Sequence, residues 1–411
     1  MAAAPDAASL PDFDDAYRAS LVASLGERDS RLPPDYARSL APIAFQADDS
    51  GRSITLSPDA RGSLSVELGQ DSAATVVELS RDSWHQFSLD LESSAGLVYG
   101  ERAHSPRGDL MDLLQWEPAL RWLFTERPVY DPDTVDLRDE AGRVLDPTHG
   151  FTLDDDREEM ASFLRTVGYL WVRDVFSQEE VQAFRAAGER LRAAAREGDQ
   201  ESWWGKREDG DAVLCRVIRA GKEPVIRALH GDPRIEGLAA LADVPMEHKQ
   251  GPEDKDGIAM LWKQAGVSEG LGDLPWHRDC GMGGHASMCP TAVVSVFLGE
   301  NTKEAGQLRF LPGSWRSSFP FADGDDATAP RGVAPPAKPG DVTFHYGDGL
   351  HVAPPPTGTE GPFRSCILMG YGRVGGGHHR GGRHYNDVLL GADDGQVKNM
   401  RTVARQHEGG E

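Results

Sequence analysis

The stretch Lys338–His351 reads KPGDVTFHYGDGLH, and it decides how the second half of the chain is interpreted. Within it, Asp341–His345 carries the β-branched and aromatic residues that favour a strand. A short loop containing Gly347 and Gly349 comes next, and His351 follows it. The pattern predicts a strand that runs into a loop and delivers a histidine at the edge of a sheet.

Further strands surround this one. After Gly257, short β-like runs dominate the sequence, namely Ile258–Trp262, Ala292–Leu298, Gln307–Leu311, Asp341–His345 and Ser365–Gly370. Two predicted helices precede them, Asp156–Thr166 and Ser177–Glu197, joined by the strand-like Tyr169–Val175. Helices followed by many short strands predict a double-sheet jelly roll that is wrapped by N-terminal helices.

The first 149 residues have a different pattern of predicted helices and strands. They begin with a predicted helix at Asp12–Leu25, and then show alternating runs that indicate a meandering antiparallel sheet: Ser53–Leu56, Ser63–Leu68 and Ala74–Leu79. Asp109–Phe124 is a predicted amphipathic helix, which Pro118 would kink or split. With Pro128–Gly150 as a linker, we expect an α+β protein of two domains. These are a small α+β accessory domain at 1–149 and the jelly-roll domain at 150–411.

The composition narrows the classes of function. A formal net charge of −23 over 411 residues argues against a nucleic-acid partner, because phosphate binding needs clustered cations. No run approaches the roughly 18 apolar residues of a membrane span, and the first residues lack the basic and apolar regions of a secretion signal. The four cysteines fit neither a disulfide framework nor paired Cys-x-x-Cys zinc motifs. We therefore expect a cytoplasmic protein, and its richness in Ala, Arg, Gly and Asp is compatible with a bacterial source.

The candidate metal ligands lie in the strand-rich half. Trp276-His277-Arg278-Asp279 contains His-x-Asp, and on a strand the residues at i and i+2 point to the same side. His351 is the candidate for the third ligand, and His345 is an alternative to it. Two histidines and one carboxylate on one face of a metal leave three positions open, as in non-haem Fe(II) oxygenases.

A candidate for binding the cosubstrate follows the last of these residues. Arg364 begins the predicted strand Ser365–Gly370. Its guanidinium could bind the distal carboxylate of 2-oxoglutarate through a bidentate, charge-assisted fork. The chelating cosubstrate would then take two of the open metal positions, and O₂ the third.

The order of these motifs resembles the phytanoyl-CoA dioxygenase family of Fe(II)- and 2-oxoglutarate-dependent oxygenases. His-x-Asp is followed by Pro312-Gly313-Ser314, Gly340-Asp341, His351 and Arg364. The opening Phe163–Val175 and Ser177–Phe184, together with Asn301–Ser314 (NTKEAGQLRFLPGS), are also similar to the family, so the resemblance covers roughly residues 150–375.

The resemblance implies a double-stranded β-helix with iron at His277, Asp279 and His351, and with 2-oxoglutarate at Arg364. It also places Lys263 near the cosubstrate. The reaction implied is hydroxylation of an unactivated C–H bond of a small-molecule substrate, with release of succinate and CO₂. Asp279 argues against halogenation, since halogenating relatives replace this carboxylate.

The sequence departs from the family at two positions. Ala353 stands where a hydroxyl residue often contacts the cosubstrate, and Trp315 replaces the usual histidine after Pro-Gly-Ser. Two other classes of protein remain open. One is a catalytically idle, cupin-like binding or regulatory protein, and the other is a zinc hydrolase that uses the same ligands. No obvious general base accompanies the ligands, and Arg364 would have no role in a hydrolase.

Several other residues have both a functional and a structural interpretation. Cys280 and His285 are loop residues that could touch substrate, and Gly375–His384 (GGGHHRGGRH) is a loop or a lid. Trp203-Trp204 either packs a helical insert or lines a pocket. Arg216 and Arg219 either recognise an anionic group or form surface ion pairs.

The N-terminal region has a looser resemblance to sterol carrier protein 2-like domains. It rests on the order of elements and on Asp82–Ser88 (DSWHQFS) with Gly96–Gly100 (GLVYG). This resemblance implies an apolar tunnel for a lipophilic chain, and hence a lipid-like or acyl substrate. The alternative is an accessory domain that stabilises a homodimer or shields the active site, with an amino acid or natural-product scaffold as substrate.

Overall fold

The computed structural model describes residues 10–28, 31–249, 257–269, 273–279, 291–322, 329–375, 395–396 and 398–409. Cys280, His285, Cys289 and all of the Gly/His-rich stretch except Gly375 lie outside the described residues. Across the described ranges, none of the helices has the length and apolar character needed to cross a membrane.

The described part of the chain contains ten α-helices and sixteen strands. The helices are α1 Asp15–Gly26, α2 Pro34–Ser39, α3 Arg81–Ser88, α4 Ser94–Tyr99, α5 Met111–Thr125, α6 Arg157–Val167, α7 Gln178–Ala194, α8 Pro224–Arg227, α9 Pro233–Ala239 and α10 Met400–Gln406. The strands are β1 Ile43–Ala47, β2 Ser53–Pro58, β3 Leu64–Leu68, β4 Thr75–Leu79, β5 His104–Arg107, β6 Tyr169–Val172, β7 Ser202–Arg207, β8 Ala212–Val217, β9 Met246–His248, β10 Ile258–Trp262, β11 Val267–Glu269, β12 Thr291–Phe297, β13 Arg309–Phe310, β14 Val342–Tyr346, β15 His351–Val352 and β16 Ser365–Arg373.

The first sheet belongs to the N-terminal part, by which we mean residues 10–126. Its strand order is β3-β2-β1-β4-β5. The predicted antiparallel meander is correct for β1 to β3, but β4 pairs parallel to β1, and its antiparallel partner β5 was not predicted. After β3 the chain crosses back over the hairpin, and the two strands that meet at the centre are buried almost throughout. Strands buried on both faces suit a parallel pair.

Helix α5 runs unbroken through Pro118, so the predicted split is wrong. Proline opens the backbone ladder because its ring displaces the preceding turn. Here the hydroxyl of Tyr36 bridges the opening: it donates to the carbonyl of Gln115 at 2.6 Å and accepts from the amide of Ala119 at 3.2 Å. The freed backbone groups are thereby satisfied, and the helix continues.

The second sheet carries the site. Its order is β11-β7-β8-β10-β16-β12-β14-β6, with β9 paired to the end of β16. The two-stranded sheet β13–β15 packs against this second sheet. The ring of Phe310 on β13 stacks on that of Tyr169 on β6, with ring centres 4.4 Å apart, and its centre lies 5.1 Å from that of His345 on β14. Mixed helices and face-to-face antiparallel sheets are consistent with the predicted jelly roll.

The prediction at Trp203-Trp204 is wrong in one respect. A helical insert was favoured there, whereas the residues lie on β7, which forms a hairpin with β8. Asp209-Gly210 between two runs rich in aromatic and β-branched residues is a hairpin signal in the sequence. Tryptophan in such a run suits a pleated, half-buried surface.

One hydrophobic cluster joins the N-terminal part to the rest of the chain. It contains Trp84 and Leu97, but also Trp203, Ile218 and Met400 from the second half. The chain after α10 also pairs with β5, because the amide of Ser105 donates to the carbonyl of His407 at 2.8 Å. The division into domains at residue 149 therefore stays a prediction.

This shared cluster predicts a single unfolding transition. Ile218→Ala removes a buried side chain at the junction, and we expect a loss of about 2–5 kcal/mol in the free energy of unfolding. Far-UV circular dichroism and tryptophan fluorescence during denaturant unfolding should shift together. Val144→Ala is the control, since that side chain is 73% exposed. Two separate transitions, with only one moved by Ile218→Ala, would contradict a shared core.

Candidate active site

The structure brings the three predicted metal ligands together. His277 and His351 are opposite each other in an antiparallel bridge, and each backbone amide donates to the other's carbonyl at 3.1 Å. Asp279 lies two residues beyond His277, on the same side. One donor atom from each of the three side chains lies within 4.8 Å of the others. Segments far apart in the sequence thus present two imidazoles and a carboxylate to one point.

The two imidazole rings are oriented by backbone carbonyls. Nδ1 of His277 lies 2.8 Å from the carbonyl of Pro275, and Nδ1 of His351 lies 3.0 Å from that of Gly349. A carbonyl can only accept, so we assign the proton to Nδ1 in each ring. The Nε2 lone pairs then face Asp279, at 3.7 Å from His277 and 3.6 Å from His351.

The electrostatics of these groups suit a bound cation. Burial is the main cause that lowers the pKa of both His277 and His351, so both rings are neutral near pH 7. Burial alone would raise the pKa of the Asp279 carboxyl, but the imidazoles around it outweigh that effect and hold it below its usual range. Neutral imidazoles and an ionised carboxylate are the forms that bind metal.

His345 reaches the same carboxylate from the opposite sheet. Its Nε2 lies 3.2 Å from Asp279 Oδ2, and its Nδ1 has no hydrogen-bond partner among the described residues. The mutually close set of donor atoms consists of His277, Asp279 and His351 and leaves His345 out. His345 is thus placed as a hydrogen-bond donor to Asp279, rather than in the position of the third ligand.

The two residues predicted for the cosubstrate are neighbours. The amide of Lys263 donates to the carbonyl of Arg364 at 2.8 Å, and both side chains are buried in the same cavity. Arg364 donates from Nε to the carbonyl of Gly306 at 2.8 Å, and from Nη1 to the thiol of Cys366 at 3.3 Å. These contacts orient the guanidinium, and its remaining N–H groups have no partner among the described residues.

Lys263 has partners that the sequence did not indicate. Its ammonium contacts the carboxylate of Asp273 and the carbonyl of Ala353. Burial lowers the pKa of Lys263, and the nearby Arg364 adds to this effect. Ala353 lacks the hydroxyl expected from the family, yet its backbone still takes part in holding this lysine.

The cavity contains about 680 Å³ of atom-free space, counting its open mouth. The side chains that line it include the metal-binding candidates, the two cosubstrate candidates, an apolar wall, and the pair Trp203 and Arg216. Arg219, by contrast, pairs with Glu201 at 3.1 Å on the surface, and Trp204 donates to the hydroxyl of Ser202 at 2.8 Å. Of the two neighbouring tryptophans, Trp203 therefore lines the cavity and Trp204 does not. Of the two arginines, Arg216 lines the cavity and Arg219 lies on the surface.

The reverse side of the metal motif faces a buried charge cluster. Arg278 donates to the carbonyl of Ser317 and lies near Arg127 and Asp348, which are 3.8 Å apart. Asp348 belongs to the loop before His351, whereas Arg127 follows the N-terminal part. Burial raises the pKa of Asp348 to about 6 despite the two arginines. No motif in the sequence pointed to this cluster.

Comparison with known families identifies the second half of the chain. Residues 164–365 match the model of the family described as phytanoyl-CoA dioxygenase (PhyH). These residues form a phytanoyl-CoA dioxygenase family domain. The predicted resemblance over roughly residues 150–375 is therefore confirmed, and every candidate site residue up to Arg364 lies within the matched range. A search of curated proteins gave no match.

Solved structures to which this chain is similar include those of AviO1, SnoN and EctD. AviO1 from Streptomyces viridochromogenes Tue57 is 23% identical over 54% of this chain and 97% of its own, with a TM-score of 0.42. The epimerase SnoN, in complex with Fe³⁺, alpha ketoglutarate and nogalamycin RO, is 22% identical over 55% and 86%, with a TM-score of 0.41. EctD from S. alaskensis, with 2-oxoglutarate and 5-hydroxyectoine, is 25% identical over 58% and 83%, with a TM-score of 0.41.

The geometry predicts different outcomes at Asp279 and His345. Asp279→Ala removes a donor atom, and we expect divalent-metal affinity to fall by more than about 100-fold, whereas His345→Ala removes an outer hydrogen bond and should cost about tenfold. Anaerobic titration with Co(II), followed by its visible absorption, measures both. His407→Ala, remote from the site, serves as the control. If both substitutions lowered the metal affinity equally, His345 would be a ligand and the proposed triad would be wrong.

The raised pKa of Asp348 predicts a pH effect on stability. The pKa of Asp348 in the folded protein is about 6, above the ordinary value of 3.8. The protonated carboxyl therefore makes its full contribution to the stability of the fold below pH 3.8. It is lost as pH rises through about 6. An asparagine side chain does not ionise, so Asp348→Asn should not lose stability in this way. Relative to the parent, the free energy of unfolding of the variant should increase as the pH rises from 3.8 to above 6. Urea unfolding at a series of pH values tests this, with exposed Asp133→Asn as control. A difference that is constant with pH would rule out the raised pKa.

Proposed function

We propose that this protein is an Fe(II)- and 2-oxoglutarate-dependent dioxygenase that hydroxylates an unactivated C–H bond of a small molecule, with release of succinate and CO₂. The observation that carries the proposal is the convergence of His277, Asp279 and His351 within 4.8 Å in a phytanoyl-CoA dioxygenase family domain. The cavity beside them holds Arg364 and Lys263, as a dianionic cosubstrate requires.

The donor set fits iron. His277 and His351 would bind through Nε2, since Nδ1 of each ring is directed at a carbonyl, and Asp279 would supply the carboxylate. Two histidines and a carboxylate leave three positions open for a chelating cosubstrate and O₂. Iron with these two cosubstrates supplies the oxidising power for C–H cleavage, which no protein side chain provides. Asp279 also favours oxygenation over halogenation.

Arg364 is the proposed anchor for the distal carboxylate of 2-oxoglutarate. Its Nε and Nη1 are held by Gly306 and Cys366, so the guanidinium plane is fixed and less entropy is lost when an anion binds. Lys263 is the second candidate contact, although its ammonium is already engaged by Asp273. Arg364 and the metal donors line one cavity, so a single 2-oxoglutarate molecule could contact both.

The remaining side chains position the reacting groups and exclude water. His345 donates to Oδ2 of Asp279, which would fix the orientation of the carboxylate between the two imidazoles of His277 and His351. The cavity wall is apolar, so it can hold a hydrocarbon segment of the substrate near the metal. The two other interpretations of this set of residues, an idle binding protein and a zinc hydrolase, assign no role to Arg364 beside the metal donors.

Residues 1–149 are proposed to be an accessory unit of the oxygenase at 150–411. Their core is filled by aromatic side chains, including Trp84, Phe45 and Trp116, and it continues into Trp203 of the cavity wall. The likeness to sterol carrier protein 2-like domains stays a prediction. A shielding role is supported by the shared Trp203, since the unit packs against a residue that faces the proposed substrate.

The proposal is tested by the anaerobic complex with iron(II) and 2-oxoglutarate. It should show a visible charge-transfer band. Arg364→Met should raise the half-saturating concentration of 2-oxoglutarate by more than about tenfold, because a charge-assisted fork is lost, with Co(II) affinity unchanged. Arg373→Met, at the exposed end of the same strand, is the matched control. A colourless complex, or an unchanged requirement for 2-oxoglutarate, would contradict the proposal.

A further inference from the structure

Three cationic side chains project into the cavity from neighbouring parts of the large sheet: Lys263, Arg364 and Arg216. The chain itself engages two of them. Lys263 contacts Asp273, and Arg364 donates to Gly306 and Cys366. The third cation, Arg216, has a different environment and no place in the proposed oxygenase mechanism.

Arg216 is held in the cavity wall by its position in the sheet. On β8 it lies opposite Trp203 of β7 on one side and Leu261 of β10 on the other. Its guanidinium carbon lies 4.7 Å from the centre of the Trp203 ring. All three residues line the cavity, so the cation–π contact positions the guanidinium within it.

The hydrogen-bonding capacity of Arg216 is not used by the described residues. Its Nε is buried without a hydrogen-bond partner, and the side chain forms no ion pair within the described ranges. A buried donor left unsatisfied costs free energy, and a cationic one costs more than a neutral one. A ligand that supplies an acceptor beside the Trp203 ring would remove this cost.

A sum of the charges in the cavity leaves the positive charge of Arg216 without a negative counterpart. Asp279 is the carboxylate among the described lining residues. With iron(II) and 2-oxoglutarate in their proposed positions, their charges and those of Asp279 and Arg364 cancel. Lys263, paired with Asp273, adds no net charge. One positive charge remains, on Arg216, and a monoanionic substrate would neutralise it.

We propose that Arg216 recognises a carboxylate of the substrate, and that the apolar body of the substrate lies between Trp203 and the cavity wall formed by Leu261, Leu274, Leu308 and Leu368. This inference rests on the proposed function, since it places the substrate in the same cavity as the metal donors. The planar guanidinium matches a carboxylate in charge and geometry. The substrate class is therefore a small organic acid with an apolar body, whose reacting C–H bond lies away from its carboxylate.

The test compares two ligands of one shape that differ in charge. Hexanoate and hexanamide are titrated calorimetrically into the full-length protein, loaded anaerobically with iron(II) and saturating 2-oxoglutarate. Because the amide keeps one acceptor oxygen but lacks the negative charge and the second acceptor oxygen of the carboxylate, hexanoate should bind about tenfold more tightly. Arg216→Gln should remove this preference. Arg219→Gln, three residues along and paired with Glu201 on the surface, should retain it.

Each other result has a defined meaning. Equal binding of hexanoate and hexanamide to the parent, or a preference that survives Arg216→Gln, overturns the inference. Tighter binding of hexyl phosphate than of hexanoate replaces the carboxylate with a phosphate and also overturns it. A higher 2-oxoglutarate requirement in Arg216→Gln with the hexanoate preference intact makes Arg216 a cosubstrate anchor instead. The charge-transfer band is recorded in every sample, so its absence from the parent identifies a failure of the proposed function itself.

Discussion

The site depends on one pair of backbone hydrogen bonds, those exchanged by His277 and His351 at 3.1 Å each. Residues that exchange both bonds in an antiparallel pair lie about 5.5 Å apart at Cα and present their side chains to the same face. No flexible linkage therefore stands between the two imidazoles. The carbonyls of Pro275 and Gly349 come from the same two segments, two residues before each histidine, and set the rings' tautomers. Position and protonation state thus have a common backbone origin.

Burial has opposite consequences for the two kinds of group in the cavity. It lowers the pKa of the histidines, which makes them neutral and ready to bind a cation. For Asp279 the surrounding imidazoles outweigh burial and keep the carboxylate ionised. The cations behind them, Lys263 and Arg364, are buried as well, and each is held by a group of the chain. A cavity with this many charges is stable only when they compensate one another, so what binds in it is expected to complete the balance.

Periodicity and spacing in the sequence were enough to predict much of this arrangement. The strand at Ile258–Trp262 has the predicted bounds, and the helices at 156–166 and 177–197 appear as α6 and α7. The ordered motifs predicted the family. The strand predicted at His-x-Asp is only an isolated bridge at His277, yet the side chains of His277 and Asp279 do meet. Contacts between distant segments could not be read in this way. The bridging hydroxyl of Tyr36, the pairing of Asp273 with Lys263, and the cluster of Arg127 with Asp348 depend on tertiary packing, and single residues of these types carry no periodic signal.

Side chains of the segment Trp276–Asp279 point in two opposite directions, and each direction has its own role. His277 and Asp279 point into the cavity, whereas Arg278 between them points to Ser317 and to the charges of Arg127 and Asp348. Asp348 in turn belongs to the loop that delivers His351. The loop before His351 is therefore tied on its reverse side to Arg127, the residue that follows the N-terminal part, and Trp203 of the opposite cavity wall packs into the core of that part. The packing that holds Arg127 and Trp203 therefore bears on the candidate donors and on the cavity wall together.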